Sequence, residues 1–245
     1  MAKGEVSAKS MTGKVKRGES RKSVEDHRVR VGRERRKRQR KHLLDSVLYV
    51  CSNEEGRAQA GIDDVVTHAA VSRGTFYTYF ESMDQAIAEL GAEMAVEMTE
   101  GISEVYDVLD DPVMRTATGF ELFLLRAMVD RRWGTFIARM GLLREGDLFS
   151  SKIRSDIEMG IETGDYSVED VRTASDLLMG ATVEGILRIC QGESSIAYIK
   201  TMAVMVLCSF GVSQSKARKT ADRAFDRIAA EAPGALRWWP KGENF

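Results

Sequence analysis

The chain has 245 residues, 43% hydrophobic and 30% charged, enough for a small domain and a larger one with its own core. Its most apolar run, Ile196 to Val212, is interrupted by Lys200 and Thr201, and the basic N-terminus lacks the apolar stretch of a secretory signal, so no membrane partner and a cytoplasmic location are expected. A net charge of −1 conceals an asymmetry: residues 1–42 hold 16 Lys and Arg against 5 Asp and Glu, and the rest hold 20 against 32.

Residues 1–36 carry hardly any large apolar side chains and read as a disordered basic arm, with a dense run, RERRKRQRK, at Arg33–Lys41. Such runs are commonly plain solvated surface. This one feeds into a helical pattern from about Arg33 to Asn53 that sets Leu43, Val47, Val50 and Cys51 on one face. A loop from Glu54 to Gly61 follows. Ile62, Val65, Val66 and Ala69 then recur at helical spacing. Val71 breaks the phase, and Ser72 suits the N-cap of a second short helix whose first turn holds Arg73, Gly74 and Thr75. Phe76 and Phe80 anchor that helix, while Tyr77, Thr78 and Tyr79 fall on other faces. A guanidinium beside several hydroxyls is the chemistry of a nucleic-acid reader: Arg can pair with guanine O6 and N7, and hydroxyls and a helix N-terminus can reach phosphates. An ordinary helical hairpin with amphipathic surface tyrosines is the alternative.

The order of these residues, AAVSRGTFYTYFES preceded by LLDSVLYVC, resembles the DNA-binding domain of the TetR family of bacterial transcriptional regulators, from Leu43 to about Leu90. Val71, Ser72, Gly74, Thr75, Tyr77, Tyr79 and Phe80 sit in register with its pattern. The resemblance implies an all-α protein: an N-terminal three-helix helix-turn-helix domain over residues 37–86, and a C-terminal helical ligand-binding and dimerisation domain over 87–232. A tail, 233–245, would follow. It implies double-stranded DNA, a second copy of the chain and a small-molecule effector as partners. Arg73 is expected on a base, Thr75, Tyr77 and Tyr79 on bases or phosphates with Ser72 and Thr78 beside them, Lys37, Arg38 and Arg40 on the DNA backbone, and the basic arm tracking phosphates along or in the minor groove. Three residues depart from the family pattern: Ala70 stands where a turn glycine is usual, Gly61 where a Thr opens the first motif helix, and Met83 where a Lys follows.

Beyond Phe80, Ser82 caps a helix carrying Met83, Ile87, Leu90, Met94 and Met98 that reaches towards Leu109. Asp111-Pro112 breaks the chain. Helices are expected at roughly 112–131, 133–144, 147–162, 168–191, 195–211 and 214–231, with no strands. Among the first of these, Phe120, Phe123, Met128, Trp133, Phe136 and Met140, with Met114, Leu143, Phe149 and Met159, are candidates for the walls of an apolar effector pocket, although such residues are most often core. Leu177–Ile189 sets small residues among aliphatics, and Ile196–Val212 is apolar nearly all round, which a helix on the outside of a monomer cannot be. Gly180, Val183, Gly185, Leu187, Met202, Met205 and Val206 are therefore the expected dimer interface, in the four-helix bundle the resemblance implies. Trp238 and Trp239 are expected to pack on the body of the protein.

Catalysis fares poorly. His27 and His42 lie in or beside the basic arm, His68 is on an exposed helix side, and no nucleophile setting, phosphate loop or metal spacing occurs, so no enzyme, cofactor or metal is expected. Cys51, Cys190 and Cys208 read as buried free thiols. The expectation is a dimeric repressor released from a palindromic operator by a hydrophobic or aromatic small molecule. The alternatives are an architectural or constitutive DNA-binding protein without an effector and, further off, a small-molecule enzyme.

Overall fold

The computed structural model describes residues 15–53, 60–140 and 148–240, and among these the regular structure is entirely α-helical. The first helix, α1 (Val15–Ser52), starts well before the expected point. Residues 15–36 are thus helical rather than a disordered arm. The segment is rich in Arg, Lys and Glu and lacks Pro, so nothing in it breaks a helix outright, although no apolar stripe reveals one. Residues 1–14 of the expected arm lie outside the described residues.

Among the described side chains of α1, burial in the core begins at Leu43. Leu43, Leu44 and Val47 of α1 meet Val65 and Val66 of α2 (Ile62–His68), and Phe76 of α3 (Arg73–Tyr77) with Phe80 closes this small core. Gly61 caps α2 without a side chain, but its N–H donates to Asp64 at 2.9 Å, half of a capping box. Ser72 accepts from the Thr75 N–H at 3.1 Å at the start of α3. Between them Ala70 takes φ +52°, so the turn is made in the left-handed conformation by a residue that is strained there.

The long α4 (Met83–Tyr106), capped by Ser82, joins the two domains and ends three residues short of the expected limit. Beyond it, α5 (Pro112–Val129) is buried along nearly its whole length, because α6 (Arg131–Arg139), α7 (Leu148–Glu162), α8 (Val171–Cys190), α9 (Ile196–Ser209) and α10 (Gln214–Ala235) pack around it. Asp111 caps α5 through the N–H groups of Val113 and Met114, with Pro112 at its first position. Tyr166, in the turn before α8, lies flat against Gly160 of α7, where even a Cβ would collide with the ring, and its hydroxyl donates to the carbonyl of Pro112 at 2.9 Å.

The C-terminus departs from the expected tail at 233. The helix α10 includes Pro233 in its last turn, where the missing N–H leaves the Ala229 carbonyl without its helical donor. Leu236, Trp238 and Trp239 are then buried, with Trp238 beside Gly101 of α4. No helix among the described residues is long and apolar enough to cross a membrane.

Candidate DNA-contacting face and apolar cavity

The expected DNA-contacting residues divide into four groups. Ser72, Arg73, Tyr77 and Thr78 are exposed together on α3 and its ends. Arg73 projects with its side chain 60% exposed and leans on Asp63 of α2 at 3.3 Å, a solvent-screened pair that a stronger partner can displace at little cost. Thr75 and Tyr79 are half-buried. The Thr75 hydroxyl is 3.0 Å from that of Ser72 and the Thr78 hydroxyl donates to the Gly74 carbonyl at 2.9 Å, so both serve the helix itself. Lys37 and Arg38 are exposed on α1, and Arg36 approaches the Tyr79 ring to 6.0 Å, which sets this part of α1 beside the residues that follow α3.

Arg40 is placed otherwise than expected. Its guanidinium forks onto Glu89 and, at 2.6 Å, Glu93 of α4, with the Phe80 ring 5.7 Å away. Both carboxylates hold its charge firmly, the Glu93 hydrogen bond foremost. Arg40 therefore clamps the small domain to α4, a role that the sequence does not show without the positions of the two acids.

A cavity of about 50 Å³ lies between α4, α5, α7 and α8. Ile102, Phe120, Phe123, Ile153, Leu178 and Met179 supply apolar walls, and Tyr106, Arg115, Lys152 and Asp156 make one polar end. Of the expected pocket residues, Phe120 and Phe123 line it. Met128, Trp133, Phe136 and Met140 do not: Trp133 and Phe136 are wholly buried in the packing of α6, and the other two are half-buried elsewhere. Leu143 and the side chain of Phe149 fall outside the described residues. At the polar end the Tyr106 hydroxyl donates to Asp156, and the Arg115 Nε donates to the other carboxylate oxygen at 2.6 Å. Arg115 also donates to the Leu109 carbonyl at 2.9 Å and sits 4.4 Å over the Tyr106 ring. Lys152 stands 4.9 Å from the same ring and pairs with Asp107 at 2.6 Å. Burial pushes the Asp156 carboxyl up to about 7. Sequence reasoning missed these residues because they come from three helices and each looks like an ordinary surface charge.

The expected dimer residues also separate by face. Gly180 and Met205 are exposed, Met205 at 64%, and Leu177 joins them at 51%. Val183, Leu187 and Met202 are half-buried beside them. Gly185 and Val206 point the other way: a Cβ on Gly185 would press on Leu124 of α5, and Val206 is core. The thiols are free, but only Cys51 is buried; Cys190 and Cys208 are half-buried.

Comparison with known proteins agrees with this arrangement. Residues 51–90 match the family model for bacterial regulatory proteins of the tetR family, and residues 111–223 match the tetracyclin repressor-like C-terminal domain. Comparison with curated proteins by sequence gives no match. Among solved structures, RolR in complex with resorcinol is 26% identical, with a TM-score of 0.59 over 78% of this chain and 96% of its own. FadR from Bacillus subtilis in complex with stearoyl-CoA is 18% identical, with a TM-score of 0.55 over 69% of this chain and 96% of its own. A TetR-like regulator from Rhodococcus sp. RHA1 is 16% identical, with a TM-score of 0.52 over 77% and 96%. With both domains matched in order and the helix-turn-helix in register, the chain belongs to the TetR family of DNA-binding transcriptional regulators.

Proposed function

We propose that the protein is a homodimeric repressor that leaves a palindromic operator when a small hydroxylated aromatic compound enters the cavity between α4, α5, α7 and α8. The observation that carries this reading is the cavity itself, apolar along Phe120, Phe123 and Ile153 and polar at Tyr106, Arg115 and Asp156. A flat ring suits the walls, and a hydroxyl suits a carboxylate that already accepts from a tyrosine. RolR, a structural relative, binds resorcinol, a compound of this class.

The cavity volume of about 50 Å³ admits a few waters, whereas a benzene-sized guest occupies a cavity of roughly 150 Å³. An aromatic guest must therefore spread the helices. That requirement gives the ligand a preference for one conformation over the other, without which binding shifts nothing. Since α4 lines the cavity at Ile102 and Tyr106 and holds Arg40 through Glu89 and Glu93, spreading bears on the DNA-contacting domain. The exposed Leu177, Gly180 and Met205 supply the face on which two copies join, and a two-fold pair of α3 helices reads half-sites centred about 34 Å apart, or a multiple of that.

The test is displacement of a fluorescent operator duplex by resorcinol and related small phenols. Release at concentrations that also raise the melting temperature of the free protein is the expected result. A duplex that stays bound while phenols and other small aromatics leave the melting temperature unchanged would favour a constitutive DNA-binding protein.

A further inference from the structure

The joint between α2 and α3 is gripped by α1. His42 of α1 places its Nε2 3.0 Å from the Ala69 carbonyl, and Tyr49, two turns further along, stacks on His68 with ring centroids 4.0 Å apart and planes 19° from parallel. His68 and Ala69 immediately precede Ala70, whose left-handed backbone turns the chain into α3. A small displacement of His68 is therefore carried through a short, strained joint to Arg73.

The same Tyr49 ring carries a group from the regulatory domain. Arg132, in the first turn of α6, sets its guanidinium 5.2 Å from the ring centroid. The adjacent Trp133 is fixed to the cavity wall: its ring lies 6.1 Å from that of Phe123, which lines the cavity, and the Arg126 guanidinium covers it at 5.3 Å. One residue on, Gly134 is so close to Ala127 of α5 and to Ile186 and Cys190 of α8 that a Cβ there would overlap them. Helix α6 is thus wedged between two helices that wall the cavity, and it cannot stay in place if they separate.

We propose that Tyr49 is a positioning residue that couples the cavity to the DNA-contacting helix, through Arg132 of α6 on one side and His68 on the other. This rests on the reading above, and it adds a route that runs beside the Arg40 clamp on α4. Arg132 is exposed, so removing its side chain breaks the route while leaving the core intact. Tyr49 is half-buried, and Tyr49→Leu keeps an apolar body there while losing the stack.

Coupling between two sites is reciprocal. DNA binding must therefore restrain α6 if α6 signals to the DNA-contacting helix, and no effector is needed for the test. Amide hydrogen exchange over Arg131–Arg139 is measured on the full chain, free and bound to a duplex selected from a random pool. The expected result is slowing of α6 exchange by about fivefold or more on DNA binding in the wild type. Arg132→Ala and Tyr49→Leu should lose that slowing, with Arg132→Ala still binding the duplex and melting at the wild-type temperature. Unchanged α6 exchange in the wild type, or full slowing retained in Arg132→Ala, would overturn the route. Slowing confined to α4 would assign all coupling to the Arg40 clamp and overturn it equally. Failure to select any duplex would instead sink the regulator reading itself.

Discussion

Tyr106, the last residue of α4, gives its hydroxyl to the buried carboxylate of Asp156 on α7, so the helix that bears on the DNA-contacting domain ends on the polar wall of the cavity. Arg115 holds the other carboxylate oxygen. In the proposed mechanism, a guest hydroxyl that competes for this carboxylate acts on the end of α4.

Asp156→Asn keeps the shape of the side chain and removes the ionisable acceptor. Operator binding should persist, while release by a small phenol should need at least about tenfold more compound, as expected when a charge-assisted hydrogen bond is lost. In the wild type the carboxyl, pushed up to about 7 by burial, is a stronger acceptor once ionised. Phenol affinity should rise with pH through about 7, and in Asp156→Asn it should be flat. Identical profiles in the two proteins would show that the carboxylate does not meet the ligand.

Glu121 of α5 is fully buried with neither carboxylate oxygen paired. Burial pushes its pKa up to about 9, against a weaker lowering by Lys200 and with Asp222 and Asp226 adding to the rise. The folded value lies above the unfolded one, so its contribution to stability is complete below about 4.3 and is lost as pH rises towards 9. Stability should fall with a slope approaching about 1.4 kcal/mol per pH unit across that window. Glu121→Gln should flatten the dependence and melt higher at pH 8, as followed by thermal melts from pH 5 to 9.

Ala70 sits at φ +52°, a conformation that costs a non-glycine residue roughly 1–2 kcal/mol. Glycine removes that cost and adds back roughly 0.5–1 kcal/mol of backbone entropy. Ala70→Gly should therefore be more stable by about 0.5–1 kcal/mol in urea unfolding. A loss of stability would mean that the turn is not left-handed in solution.

Arg73→Ala should weaken binding to a selected operator by about 1–3 kcal/mol and relax the preference at one base pair of each half-site. Replacing Lys37 and Arg38 by Ala should weaken all duplexes alike and lower the magnitude of the salt slope by about two. Arg40→Ala should instead lower stability, since Glu89 and Glu93 lose their partner. Competition binding across salt concentrations separates the three.

Met205 is 64% exposed on α9, and Met205→Arg should place a charge in the proposed dimer face. Sedimentation should then show monomers with helical content preserved. A dimer of unchanged affinity would remove this face from the interface.

The helix-turn-helix was legible because its signals are local: the apolar spacing from Ile62 to Phe80, the Ser72 and Ser82 caps, and the fixed order of small and aromatic residues. The larger domain's helix positions were also legible, since Asp111-Pro112 and the polar joints mark the breaks. What was hidden depends on rotation and on partners far away in sequence. Gly180 and Gly185 look alike in the chain, yet one faces outward and the other meets Leu124. Arg115 and Asp156 are 41 residues apart, so neither announces the other. The early part of α1 was hidden for another reason: its sequence sets no apolar stripe at helical spacing.

The measurement that tests the central reading most directly is selection of bound sequences from a random duplex pool by the purified full-length protein. Enrichment of a two-fold palindrome, lost in Arg73→Ala, is the expected result. Recovery of DNA with no sequence preference, although the protein is folded and dimeric, would contradict it.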